Sequence, residues 1–336
     1  MILAGEIGAT NSRLAAFETA GSRLNRVVEK IYPTPEQAAG LATILGDFVR
    51  TEGIPVDHAC FGVAGPVSRG KATISNLPAL TIDCRQLATQ LRVSTVGVLN
   101  DLEAYAYGVD ALDPDDIITL SPGLEDAEGN CVVISARTGL GVAGLFWDGY
   151  RHHPFATEGG HVGFAPRNDL EMELLRYLQQ KYGRVSTERV VSGPGIKNIY
   201  DFLRDTQKAE EPPALADQMR AAKDAPALIS KLAAEGKTPI CDQTFALFIT
   251  IYGAFCGDCA VSFMTRGGVY IGGSIAAKNI PRMQDPAFLQ AFLNRGRMEP
   301  LLRDMPVKIV LNDDAGLLGA ARYTLVQKAF QPPKTA

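Results

Sequence analysis

The sequence predicts an α/β protein of two domains with mixed sheets. Short apolar runs ended by glycine-rich turns alternate with stretches whose apolar residues recur at helical spacing. The chain has 336 residues, about twice the roughly 150 residues of an ordinary domain. A three-strand opening with a first turn rich in small residues occurs at Ile2 and returns at Cys131, a likeness of pattern rather than of identity.

In chain order, Ile2 to Gly5 reads as a strand ended by a turn, and Arg13 to Phe17 as a second strand. Ala20-Gly21-Ser22 is a turn signal, followed by a third strand over Leu24 to Ile31. Ala38, Leu41, Ile44, Leu45 and Phe48 space a helix within Pro35 to Arg50, closed by Gly53. Val56 to Val63 reads as a strand, Ile82 to Leu91 as a helix and Val96 to Leu99 as a buried strand. From Cys131 to Ile134 the plan begins again. Val142 to Trp147 is a strand, Asp148-Gly149 a hairpin turn and Tyr150 to Phe155 a third strand. The second half then turns helical: Leu170 to Tyr182, Gly195 to Arg204, Ala214 to Ala222, Pro226 to Glu235, and an apolar segment over Gln243 to Gly257. Val269 to Ile271 and Val307 to Leu311 are further strands. Asn312-Asp313-Asp314 caps a terminal helix from Ala315.

The net charge is −4, with 33 Lys and Arg against 37 Asp and Glu. That balance argues against nucleic acid or an anionic membrane as partner, since both are bound through clustered positive charge. The first residues lack a basic signal-peptide region. Gln243 to Gly257 is bracketed by Asp242 and Asp258 and falls short of the ~20 residues that span a bilayer, so it reads as a buried core helix. Six cysteines scattered over so long a chain fit a reduced, cytoplasmic protein. Cys256-x-x-Cys259 falls inside the apolar helix with no second pair, which favours packing over metal. The four histidines form no helical His-x-x-x-His pair.

Several segments can carry chemistry. Gly5-Glu6-Ile7-Gly8-Ala9-Thr10 lies between two predicted strands, where small residues let backbone N–H groups approach a phosphate. Thr10 adds a hydroxyl, and Glu6 could hold Mg²⁺ through water; an ordinary glycine-rich hairpin is the competing reading. Gly139-Leu140-Gly141-Val142-Ala143-Gly144 matches the dinucleotide fingerprint, but a strand and hairpin turn follow where that motif needs a helix. Thr138 and Gly139 suit a second phosphate-binding hairpin better, facing the first across an interdomain cleft. Asn100-Asp101 stands at the C-terminal end of a buried strand, where α/β sheets place ligands. Asp101 there is either a proton acceptor for an attacking hydroxyl or a helix N-cap. Glu158-Gly159-Gly160-His161 and Ser186-Thr187-Glu188-Arg189 add donors and acceptors of the kind a polyhydroxylated ligand needs.

Taken together these segments resemble the bacterial-type glucokinases of the hexokinase, actin and Hsp70 superfamily. The likeness runs from Gly5-x-x-Gly8-x-Thr10-Asn11 through Asn100-Asp101, Thr138-Gly139-Leu140-Gly141 and Glu158-Gly159-Gly160-His161. It continues in Ser186-Thr187-Glu188-Arg189-x-x-Ser192-Gly193-Pro194-Gly195, Gly267 to Ile271 and Asp314-Ala315-Gly316-Leu317-Leu318-Gly319. The zinc motif of the related repressor and sugar-kinase group is absent.

The resemblance implies a two-domain ribonuclease-H-like, actin-like ATPase fold with duplicated mixed sheets and an interdomain cleft. Residues 1–111 plus 309–336 would form the smaller domain and 112–308 the larger. It implies ATP-dependent phosphorylation of D-glucose to glucose 6-phosphate at the head of glycolysis, with Mg²⁺, in a cytoplasmic homodimer. Asp101 would be the base for the 6-hydroxyl, while Asn100, Glu158, His161 and Glu188 hold the other hydroxyls. Gly5, Glu6, Ile7, Gly8, Ala9 and Thr10, with Thr138 and Gly139, would cradle the phosphates. Gly272 and Gly273 would lie near adenosine. The chain departs from the family pattern at Glu6 (usually Asp), Ala9 (usually Gly), Ser135 and Arg137 (where Gly-x-Gly-Thr is usual) and Ser274 (usually Gly). An alternative expectation therefore stands beside the kinase: a sugar-binding protein of this fold with little or no phosphoryl transfer.

Overall fold

A computed structural model describes residues 1–330 apart from Ser22, Glu36, Gln37 and Asn76. Ser22 of the anticipated turn and the last six residues of the terminal segment lie outside the described residues. The chain divides into two compact units. The first holds Met1–Pro114, Pro154–Ala156 and the residues from Asn312 onward. The second holds Asp115–His153 and Thr157–Leu311.

In the first unit β1 (Ile2–Ile7), β2 (Asn11–Ala20) and β3 (Arg23–Pro33) are followed by α1 (Ala38–Glu52) and β4 (His58–Val63). A small three-stranded sheet follows: β5 (Val67–Ser68), β6 (Lys71–Ile74) and β7 (Leu77–Asp83). Then come α2 (Cys84–Leu91), β8 (Thr95–Asn100) and α3 (Asp101–Val109). The main sheet has the order β3-β2-β1-β4-β8, with β1 antiparallel to β2 and parallel to β4, and β4 parallel to β8. Leu3, Ile7, Leu14, Leu45, Phe48 and Phe61 fill one side of it.

The second unit contains β9 (Ile117–Ser121), β10 (Cys131–Ala136) and β11 (Leu140–Trp147), and its sheet is edged by β12 (His152–Thr157), of which Pro154–Ala156 groups with the first unit. Its helices are α4 (Asp169–Tyr182), α5 (Gly193–Asp205), α6 (Pro213–Ala221), α7 (Ala225–Glu235) and α8 (Pro239–Phe263). After these come β13 (Gly268–Gly272), α9 (Ser274–Lys278), α10 (Ile280–Met283), α11 (Pro286–Leu293), α12 (Glu299–Arg303) and β14 (Val307–Val310). Sheet order is β12-β11-β10-β13-β14-β9, with β10 antiparallel to β11 and parallel to β13, and β13 parallel to β14. The two sheets thus repeat one plan, an antiparallel hairpin extended by two parallel strands. This is the mixed α/β architecture, with its duplication, that the sequence predicts.

Helix α8 is long and apolar enough to cross a membrane, yet 72% of its most apolar stretch is buried in the second unit. Phe245, Phe248 and Tyr252 pack there with Phe288 of α11. All six cysteines are unpaired, and Cys60, Cys131, Cys241, Cys256 and Cys259 are buried. Burial pushes the Cys60 and Cys256 thiols well up, so these are packing residues rather than nucleophiles.

The last helix, α13 (Ala315–Phe330), returns to the first unit and packs Leu317, Ala320 and Ala321 against Ile2, Ala4, Cys60 and Leu99. It lies so close to α3 that a Cβ on Gly319 would sit 1.7 Å from the Ala104 carbonyl oxygen, and one on Gly108 would sit 1.9 Å from that of Ala315.

Some boundaries differ from the sequence reading for local reasons. Ile82 and Asp83 end β7 rather than begin a helix: Ile82 pairs with Ala72, and the Asp83 carboxylate caps α2 by accepting from the Arg85 and Gln86 N–H groups. The strand anticipated from Tyr150 starts at His152, because Asp148 Oδ1 accepts from the N–H groups of Tyr150 and Arg151 and lengthens the turn. The sequence reading contains no strand at β5, β6, β7 or β9.

Candidate functional site

Asp101 opens α3 directly after β8. Asn100 is the N-cap, its Oδ1 accepting from Leu102 N–H at 3.0 Å and Glu103 N–H at 3.4 Å, while its amide donates to Gly65 O at 3.3 Å. The Glu103 carboxylate accepts in return from the Asn100 backbone. Asn100-x-x-Glu103 is therefore a reciprocal capping box. The capping duty offered to Asp101 from sequence belongs to Asn100. Asp101 keeps a half-buried carboxylate in the first turn, with Oδ1 3.0 Å from Leu102 N.

Burial raises the Glu103 pKa above the usual carboxylate value, with the Asn100 N–H opposing. A carboxyl whose folded pKa lies above its unfolded one costs nothing when protonated in both states. The cost enters as pH rises through the unfolded pKa and is complete above the folded one. Glu103→Gln, which keeps an acceptor for the cap, is therefore expected to raise the urea midpoint at pH 7. That gain should vanish as pH falls below the carboxylate range; an equal gain at both pH values would contradict it.

In the first hairpin only Gly8-Ala9-Thr10 forms the turn. Gly5, Glu6 and Ile7 belong to β1, paired with β2 on one side and β4 on the other. Gly5 is a packing glycine: a Cβ there would meet Phe61 at 2.7 Å and Leu14 at 2.9 Å. Gly8 N–H donates to Asn11 O at 3.0 Å, closing the turn and leaving Thr10 exposed at its tip. The Glu6 side chain is 29% exposed and lies 3.7 Å from the Arg13 guanidinium. Arg13 also binds Glu29 at 2.5 Å and pairs with Asp314, which holds the Asp314 carboxyl below its usual range despite burial. Gly316, near the start of α13, gives Glu6 its space, since a Cβ there would fall 1.9 Å from Glu6 Oε1.

The second unit gathers the other segments around one turn. Between β10 and β11, Arg137 N–H donates to Gly139 O and Gly193 N–H donates to Arg137 O, both at 2.8 Å. Leu140 N–H donates to Glu188 Oε2 at 3.0 Å. Ser192 Oγ donates to Glu188 O at 2.7 Å and accepts from Gly195 N–H, capping α5. Glu158 and His161 flank a short 3₁₀ turn, with His161 Nε2 3.9 Å from Glu158 Oε2 and both side chains more than half exposed. That turn rests on β11, because a Cβ on Gly160 would sit 1.9 Å from Leu140 O. Arg184 and Thr187 bind it from the other side, through His161 O and Val162 O. Thr138, Gly139, Glu158, His161 and Glu188 are thus one connected surface.

Beside this surface lies a cavity of 570 Å³ lined by Arg137, Thr138, Pro226, Lys231, Ser274 and Lys278, among others. It is large enough for a nucleoside-sized ligand. Gly272 and Gly273 are not part of its lining. Gly272 ends β13 and Gly273 turns the chain into α9 at φ 89°, delivering Ser274 to the wall. Lys231 on α7 and Lys278 on α9 were not read from sequence, because only tertiary packing brings these helices together. Arg137 lines the cavity without closing it.

Among the described residues no three His, Cys, Asp or Glu side chains group as a metal cage. Mg²⁺ rarely uses one; it keeps waters and shares one or two carboxylates with substrate phosphates. A half-buried Glu6 oxygen fits that mode.

A family model for glucokinase matches residues 3–327. A glucokinase of Trichormus variabilis is 39% identical over 96% of this chain and 98% of its own length. Among solved structures, glucokinase from an Antarctic psychrotroph superposes with a TM-score of 0.81 at 29% identity, covering 96% of this chain and 98% of that one. Glucokinase from Balamuthia mandrillaris, solved with glucose, shares the fold with a TM-score of 0.78 at 21% identity over 96% and 92% of the two chains. With motif order, duplicated sheets and near full-length similarity in agreement, the chain belongs to the glucokinase family.

Proposed function

We propose that this protein phosphorylates D-glucose with ATP in the cytoplasm. In this reading Asp101 accepts the proton of the 6-hydroxyl as O6 bonds to the γ-phosphorus, the bond to the β-phosphate oxygen breaks, and ADP leaves. Asn100, Glu158, His161 and Glu188 hold the sugar. The turn Gly8 to Thr10 and the turn Thr138–Gly139 receive phosphates, and the cavity walled by Ser274 and Lys278 takes adenosine. Residues 1–111 with 309–336 supply the base and one phosphate turn, residues 112–308 the rest, and the protein works as a homodimer. Mg²⁺, when bound with the donor, neutralises phosphate charge, and Glu6 would hold it through water.

The observation that carries this reading is the junction, in one unit, of a sugar-type donor and acceptor set with an open cavity of 570 Å³ edged by Thr138. The departures at Glu6, Ala9, Ser135 and Arg137 favour a non-catalytic sugar sensor only if they close the donor site. Arg137 does not fill the cavity, which supports the enzyme. Its guanidinium supplies charge where its own backbone N–H is spent on Gly139 O. Glucose-dependent ADP release in a coupled assay tests the assignment, and its absence with folded protein and Mg-ATP would refute it. Arg137→Ala is expected to raise the KM for ATP on the order of tenfold with little change in the KM for glucose. Higher turnover with unchanged KM would instead mark Arg137 as an obstruction.

A further inference from the structure

The Glu188 carboxylate does two things at once in this structure. It belongs to the surface assigned to the sugar, and its Oε2 accepts from Leu140 N–H at 3.0 Å, in the turn assigned to donor phosphates. Gly139 leaves it just enough room, since a Cβ there would stand 2.8 Å from the same oxygen. The main chain on either side is pinned as well. Ser192 Oγ holds Glu188 O within its own segment, and Gly193 N–H holds Arg137 O, so with the Leu140–Glu188 bond the segment 188–193 and the turn 137–140 meet at two places.

We propose that Glu188 is a positioning residue that couples the sugar and donor sites, on the reading that its carboxylate also binds the sugar. A carboxylate is a rigid fork with two acceptor oxygens. When a sugar hydroxyl fixes one, the other holds Leu140 N–H and with it the orientation of the Thr138 and Gly139 groups offered to phosphate. Ordering one ligand's contacts therefore pre-orders the other's, and linkage makes the effect equal in both directions. An amide in place of the carboxylate keeps one acceptor oxygen and turns the other arm of the fork into an N–H donor, so one arm can no longer accept a sugar O–H while the other holds Leu140 N–H.

The test is calorimetric titration of glucose into the full chain, with and without Mg²⁺ and a non-hydrolysable ATP analogue. The wild type is expected to bind glucose at least about fivefold more tightly with the analogue present. Glu188→Gln should weaken glucose on the order of tenfold and bring that ratio below about two. Gly139→Ala, in the donor turn, should weaken glucose on the order of tenfold with no nucleotide present. In a Glu188→Ala background it should add little, because its methyl then meets no carboxylate. Near-ultraviolet circular dichroism checks that each variant is folded; should Gly139→Ala not fold, the isosteric Glu188→Gln decides. A Glu188→Gln protein with weakened glucose binding but the wild-type ratio, or a folded Gly139→Ala protein with wild-type glucose affinity, overturns the coupling and leaves the sugar role standing. Unchanged glucose affinity in Glu188→Gln removes the sugar role itself.

Discussion

Asp101→Asn should lower kcat by a factor on the order of a thousand or more while leaving the glucose Kd within about threefold. General-base assistance is ordinarily worth about a hundred to ten thousandfold, and in the proposed scheme Asp101 is the group that takes the 6-hydroxyl proton. The substitution preserves shape and keeps an oxygen for Leu102 N–H, so the first turn of α3 need not rearrange. Because Asn100 rather than Asp101 caps the helix, the loss cannot be assigned to helix melting. Isothermal titration with glucose and a coupled assay at saturating Mg-ATP separate the two quantities. A variant that retains most of the wild-type rate would show that Asp101 has another task.

Gly319→Ala is expected to cost about 3 kcal/mol of stability, at the upper end of the usual range for overpacking a core. The new methyl would collide with backbone, 1.7 Å from Ala104 O and 2.6 Å from Gly108 N, and backbone cannot rotate aside as a side chain can. Helices α3 and α13 would have to separate. The first turn of α3 holds Asp101, so activity should fall along with stability, since a shift of ~1 Å at a reacting group can cost on the order of a hundredfold. Denaturant unfolding and kcat on the folded variant measure the two effects. A wild-type urea midpoint would mean that this helix contact yields without penalty.

How much of this could be read beforehand depended on the range of the interaction responsible. The strand-end position of Asn100-Asp101 was legible, because an apolar run followed by a capping residue is a local signal. Its neighbour Glu103 was overlooked although the Asn-x-x-Glu spacing was in view. The buried nature of α8 agrees with the reading but its length does not: the helix runs on past Gln243 and Gly257 to Pro239–Phe263, so Asp242 and Asp258 lie inside it and only their charge pointed to a core helix. Gly5 misled: a glycine at the end of an apolar run reads as a stop, whereas here it admits the Phe61 ring inside a continuing strand. Strands β5 and β6, of two and four residues, are too short to show alternation. The lysines of the cavity wall had no local signature, since α7 and α9 meet only through the packing of the second unit. Glu188 was read as a sugar ligand, and nothing in its surroundings along the chain announced its bond to Leu140.

The return of α13 to the first unit also bears on biosynthesis. While the ribosome is still translating the middle of the message, the opening sheet has no Leu317, Ala320 or Ala321 to cover Ile2 and Leu99. The later-encoded unit can complete its own core first, and the earlier-encoded one must wait for the chain's last helix. Until α13 has been made, that apolar face of the opening sheet stays uncovered, and such transiently exposed surface is where aggregation begins.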